Sequence, residues 1–123
     1  PLYSKFLGLA GRVDCVAEFD GKLSIIDFKT SRRPKKKEWI KDYFLQACAY
    51  SIMWEELTGM SVPRLNLVFS IVNATPELDS QVFSDKRDNW VEPLLDAIEY
   101  YNNKSIFLIL SKAIDKFVTL LIF

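Results

Sequence analysis

Histidine is absent from the 123 residues, so the chain can build no histidine-activated nucleophile and can offer a metal no imidazole. The two cysteines, Cys15 and Cys48, lie far apart and form no CxxC pair, which argues against a zinc knuckle or a dithiol centre. Free thiols suit a reducing, intracellular compartment. Net charge is also missing: 16 basic and 16 acidic residues cancel, so any recognition of phosphate must be local. There is no GxGxxG, no GxxxxGK and no internal repeat, and the four glycines and five prolines are too dispersed to mark a linker. Nor does any apolar run reach the roughly 20 residues that span a bilayer, because Lys112, Asp115 and Lys116 interrupt the hydrophobic tail. PLYSKFLGLAG is no recognisable signal peptide and reads as a cut into a longer protein.

What remains is the composition of a folded protein, half apolar and about a quarter charged. Residues 1–103 read as one domain, and 104–123 as a hydrophobic segment forming a packed helix or an extension. Residues 12–19 and 23–30 are Val-, Ile- and Phe-rich and flank Asp20-Gly21, the signal for a two-residue hairpin. Residues 38–58 carry Trp39, Tyr43, Ala47, Tyr50 and Trp54 at helical steps and end at Gly59. RLNLVFSIV, after Pro63, is apolar enough for a strand covered on both faces. LDSQVFS predicts a short returning strand, and residues 86–102 a second amphipathic helix with Pro93 near its start. The order predicts an α/β domain, a mixed sheet flanked by helices.

The hairpin places charge. With Asp20 and Gly21 as the turn, Phe19 faces Lys22, and the same register sets Asp14 opposite Asp27 and Arg12 opposite Lys29. Directly opposite side chains share a face, so the four should form one charged patch. Two opposed carboxylates repel, and a divalent cation relieves the conflict, Mg²⁺ in particular needing few protein oxygens. Lys29 adds a positive charge suited to a phosphate, and Arg32, Arg33, Lys35, Lys36 and Lys37 follow where a polyanionic backbone could meet them.

Three ordered motifs complete the pattern: Gly11-Arg12-Val13-Asp14, then Ile25-Ile26-Asp27-Phe28-Lys29-Thr30-Ser31, then Gln46-Ala47-Cys48-Ala49-Tyr50. Together they resemble the PD-(D/E)xK nuclease superfamily, especially its RecB-like exonuclease branch with the mitochondrial genome maintenance exonuclease group. The resemblance implies a restriction-endonuclease-like core and hydrolysis of DNA in repair, recombination or replication. It further implies Asp14, Asp27 and the Phe28 carbonyl as ligands of Mg²⁺ or Mn²⁺, and Lys29 as catalytic. Gln46 and Tyr50 match the QxxxY motif and are implied in DNA contact or support of the site. Family members commonly carry a helix before these motifs, often with an acidic or histidine residue, and the expectation is that the chain is truncated at its N-terminus.

Plainer roles stand beside these. A lone strand aspartate is more often a surface residue or an ion-pair member, Arg12 suits a local electrostatic partner, and a basic loop is commonly just solvated. Trp39 fits either base stacking or packing on the aromatic stripe. Three functions follow: an exonuclease acting from DNA ends, with single strands among its expected substrates; an inactive or truncated nuclease-fold module that binds DNA or joins an assembly; and an endonuclease on the same core.

Overall fold

The computed structural model describes residues 1–75, 78–104 and 121–122, and within them two sheets form. Strands β1 (Leu2–Ser4) and β2 (Leu9–Gly11) pair antiparallel, in a region to which sequence patterning assigned no element. The four-stranded sheet holds β3 (Cys15–Phe19), β4 (Lys22–Ser31), β5 (Arg64–Thr75) and β6 (Leu78–Lys86), in that spatial order. Only β4 and β5 run parallel, and the chain between them includes a 3-10 turn (Lys37–Trp39) and helix α1 (Lys41–Thr58). Helix α2 (Asp88–Lys104) follows β6, and β7 (Leu121–Ile122) pairs with β2. The rest of the hydrophobic tail expected to form a packed helix or an extension lies outside the described residues.

The Asp20-Gly21 turn forms as expected. Both residues have positive φ, 50° and 74°, the conformation a two-residue type I′ turn demands and one that glycine adopts without steric cost. The ladder runs from Phe19↔Lys22 to Cys15↔Ile26, the register the turn dictates. It stops there. Asp14 lies in a bend, so Arg12 does not enter the ladder and the expected Arg12–Lys29 pair is not made. The reason is local: the Asp14 carboxylate itself accepts the Phe28 N–H at 3.1 Å.

Helix α1 is buried over most of its length because it has neighbours on several sides: β4 and β5, the β1–β2 pair, and α2. Phe44 stacks on Trp90 of α2 at 4.9 Å between ring centres. Gly59 ends α1 in the left-handed region, its N–H donating to the Glu55 carbonyl at 2.7 Å. Trp39 departs from expectation. It falls in the 3-10 turn, off the helical stripe, and is 61% exposed.

One face of β5 is core, through Leu65, Leu67, Phe69 and Ile71. The sequence predicted cover on both faces, but on the opposite face Ser70 and Val72 are exposed and Val68 only half-buried. Phe28 of β4 and Val82 of β6 flank Val68 on that face and are exposed too. Pro93 sits inside α2, which begins at Asp88 and is tied to β6 by Asp85, the acceptor for Trp90 Nε1 at 3.0 Å. Among the described residues no helix is long and apolar enough to cross a membrane.

Candidate active site

Alternation along β4 sends Ile25, Asp27, Lys29 and Ser31 toward α1. Ile25 anchors the strand in the core, fully buried, and Asp27 follows at 3% exposure. Burying a carboxylate costs several kcal/mol unless charge and hydrogen bonds compensate, on the order of magnitude known for ions in proteins. Part of that compensation is Lys29, whose Nζ lies 3.0 Å from Asp27 Oδ2 as a charge contact off the line of a good hydrogen bond. Asp27 Oδ2 is therefore buried with no aligned donor.

Burial first, and then the Asp14 carboxyl within hydrogen-bonding reach, push the Asp27 carboxyl up to about 6 against the opposing pull of Lys29. The two acids expected to meet across the hairpin do meet, although Asp14 arrives from a bend and not from a ladder pair. Asp14 is exposed, so the pair has one oxygen-rich side open to water and one sealed in the core.

Lys29 is held from α1. Its ammonium donates to Gln46 Oε1 at 2.9 Å, and Gln46 Nε2 donates to the Tyr50 hydroxyl at 2.9 Å. One helical turn spans Gln46 and Tyr50, and both are almost completely buried, so the motif residues face the lysine and the core. Patterning placed Tyr43 on the aromatic helical stripe but gave it no part in the site; its ring centre lies 5.1 Å from Lys29 Nζ. It stands three residues before Gln46 and seven before Tyr50, the spacing of one helix face, and that spacing was the available signal. Tyr43 in turn packs edge-on against Phe69 of β5 at 5.7 Å.

The five basic residues lie just past β4. Arg32, Arg33, Lys36 and Lys37 are exposed and Lys35 is half-buried. The loop is nonetheless pinned: the Lys35 N–H donates to Gln81 Oε1 at 2.6 Å, Gln81 Nε2 donates to the Lys35 carbonyl at 3.1 Å, and Ser31 Oγ bonds the Arg33 main chain. Arg12 is exposed in the chain leading into the Asp14 bend. Cys48 is buried, which pushes its thiol up to about 12 and leaves it inert; both cysteines are free.

Among the described residues no third acid or cysteine joins Asp14 and Asp27. Two carboxylates, one of them with a buried oxygen that has no aligned hydrogen-bond donor, suit a hard cation that keeps water or phosphate in its other positions, which is the preference of Mg²⁺; they do not suit a closed structural site.

Residues 3–107 match the family model for the PD-(D/E)XK nuclease superfamily. The chain is similar to mitochondrial genome maintenance exonuclease 1 of Homo sapiens, 32% identical over 109 residues, which cover 81% of this chain and 31% of that protein. It is similar also to the protein of that name from Xenopus tropicalis, 51% identical over 49 residues, 37% of this chain and 13% of that protein. The matches thus span less than a third of the length of either relative.

Proposed function

The chain belongs to the PD-(D/E)XK nuclease superfamily, and from that premise we propose that it forms part of a divalent-metal-dependent DNA exonuclease that hydrolyses phosphodiester bonds in repair, recombination or replication. One observation carries the chemistry: Asp27, buried and lacking an aligned donor on Oδ2, stands beside Asp14 and Lys29. The exonuclease assignment draws on the two relatives, both mitochondrial genome maintenance exonucleases. The free cysteines support an intracellular setting.

Asp14, Asp27 and the Phe28 carbonyl hold Mg²⁺ or Mn²⁺ in this reading. Such an ion supplies a Lewis acid that neutralises phosphate charge and makes water a better nucleophile. The chain's own groups do the rest. Lys29 presents a cation where phosphate oxygens gain charge, and its value lies in being fixed before reaction by Gln46 and Tyr43. Tyr50 orients the Gln46 amide so that its oxygen, not its nitrogen, faces the lysine. Gln46 and Tyr50 thereby act through Lys29, and their burial favours support of the site over direct DNA contact. Arg12 and the loop cations Arg32, Arg33, Lys35, Lys36 and Lys37 attract and orient the DNA backbone.

The test is cleavage of end-labelled linear and circular DNA by the intact protein, with Mg²⁺ or with chelator, beside Asp27→Ala and Lys29→Ala. Linear DNA should be degraded only with metal, Asp27→Ala should be inactive, and Lys29→Ala should be slowed about 10²- to 10³-fold. Metal-dependent cleavage that survives Asp27→Ala overturns the site. Cutting of circles would make the enzyme an endonuclease, and binding without turnover would make it a DNA-binding module.

A further inference from the structure

We infer that the Tyr43 hydroxyl donates a hydrogen bond to the phosphate that is cleaved, standing beside the Lys29 ammonium as a second, neutral donor. The inference rests on the nuclease function proposed above and adds to its chemistry a residue outside the three sequence motifs.

The fold uses the Tyr43 ring and leaves its oxygen unused. Lys29 Nζ lies over the ring at 5.1 Å, and the ring packs edge-on against Phe69 at 5.7 Å. Phe69 is the β5 residue paired with Lys29 in the parallel ladder, so lysine, phenylalanine and tyrosine make one group on the side of the sheet that α1 covers. Neither ring contact needs the hydroxyl. Among the described residues that hydroxyl has no hydrogen-bond partner, and it is not sealed from water. Tyr50, seven residues further along the same helix face, is the opposite case: it is 1% exposed and its hydroxyl accepts from Gln46 at 2.9 Å.

A wet phenol oxygen is ordinary at the edge of a core; the company of this one is not. The ammonium over its ring also contacts Asp27 Oδ2 at 3.0 Å, so the free donor stands next to the charged groups of the site. With Nζ over the ring face, the phenol oxygen lies roughly 6 Å from it, a separation at which two donors can hold two oxygens of one phosphate at ordinary hydrogen-bond distances. Lys29 and Phe69 hold the ring on its face and its edge, which aims the donor before substrate arrives. A donor fixed in this way gains strength as phosphate oxygens gain charge, so its effect falls mainly on the rate and little on binding.

Tyr43→Phe in the intact protein tests this, because it removes the oxygen and keeps the ring. Single-turnover cleavage of linear DNA with Mg²⁺ should slow about 10- to 100-fold at saturating DNA, with KM raised only about threefold. Urea unfolding should match that of the parent, since no internal hydrogen bond is lost. Binding is read separately by fluorescence anisotropy in chelator, where no hydrolysis occurs, on a labelled DNA oligonucleotide and on copies with one uncharged methylphosphonate moved along the backbone. The variant should bind the unmodified DNA about threefold more weakly, and at one methylphosphonate position parent and variant should bind alike, because the charged acceptor is gone. A saturating rate within twofold of the parent, a slower rate accompanied by easier unfolding, or a methylphosphonate series in which the two proteins never converge would overturn the contact and leave the nuclease reading standing. Convergence at one position in a protein that cleaves nothing with Mg²⁺ would overturn the nuclease reading and leave the phosphate contact standing.

Discussion

Lys29 and the lysines at 35–37 carry the same group, yet the fold treats them differently. Lys29 shows 14% of its side chain to solvent and is held by a carboxylate, an amide and an aromatic ring from two elements. Lys36 and Lys37 are exposed on a loop, one resting on Trp39 and neither in an ion pair with a described residue. A cation fixed in a low-dielectric setting can stabilise charge that develops at one place; a solvated cation attracts an anion anywhere nearby and is screened by salt. On the function proposed above, the fold separates chemistry from capture within nine residues of one chain.

The sharpest break of that contrast is Lys29→Ala, which should lower kcat about 10²- to 10³-fold with DNA affinity nearly intact, the loss typical of a preorganised charge-stabilising donor. Single-turnover cleavage beside metal-free binding separates the two effects.

Next in size is the acid beneath it. Asp27 is raised to about 6 from its usual 3.8, so the folded, metal-free protein holds this proton more tightly than the unfolded chain does. Its contribution is full below about pH 4, falls as pH rises, and is lost above about 6, a difference of about 3 kcal/mol. Urea unfolding in chelator from pH 4 to 8 should show that decline, and Asp27→Asn should flatten it. Mg²⁺ should stabilise the parent at pH 8 and not the variant.

Gln46→Ala should lower kcat about 10-fold with little change in KM, because only the positioning of Lys29 is lost. Smallest is Lys36→Ala combined with Lys37→Ala: kcat should hold, KM should rise a few-fold, and the slope of log affinity against log salt should fall by about 0.7 for each phosphate contact removed on a single strand. A loss of kcat in this double variant as large as that in Gln46→Ala would erase the division between the two regions.

The meeting of Asp14 and Asp27 was legible because the two-residue turn fixes the β3–β4 register up to Cys15↔Ile26, one step short of the pair; the bend by which Asp14 arrives was not. Elements with dense apolar residues were also legible, including α1 and both long strands. The Lys29–Gln46 bond was not, since it depends on how α1 settles on β4, a tertiary choice that no local pattern encodes. The sequence motif marked Gln46 and Tyr50 without saying that they point inward. Trp39 was placed on the helical stripe because its spacing fits a helix that in fact begins two residues after it, following a 3-10 turn. The apolar run of β5 masked an alternation in which Val68 and Val72 look away from the core.

The Asp20-Gly21 turn also makes the domain asymmetric toward mutation by length. Residue changes there act mainly through backbone strain, of about 1 kcal/mol for a side chain forced into the left-handed region at Gly21. Inserting one residue would instead slide β3 by a single step against β4, turn its alternating side chains over and carry Asp14 away from Asp27. Lineages that preserve the site should therefore accept at this corner residues that tolerate positive φ, such as Asn, Asp and Gly, while treating a one-codon insertion or deletion as lethal to the site.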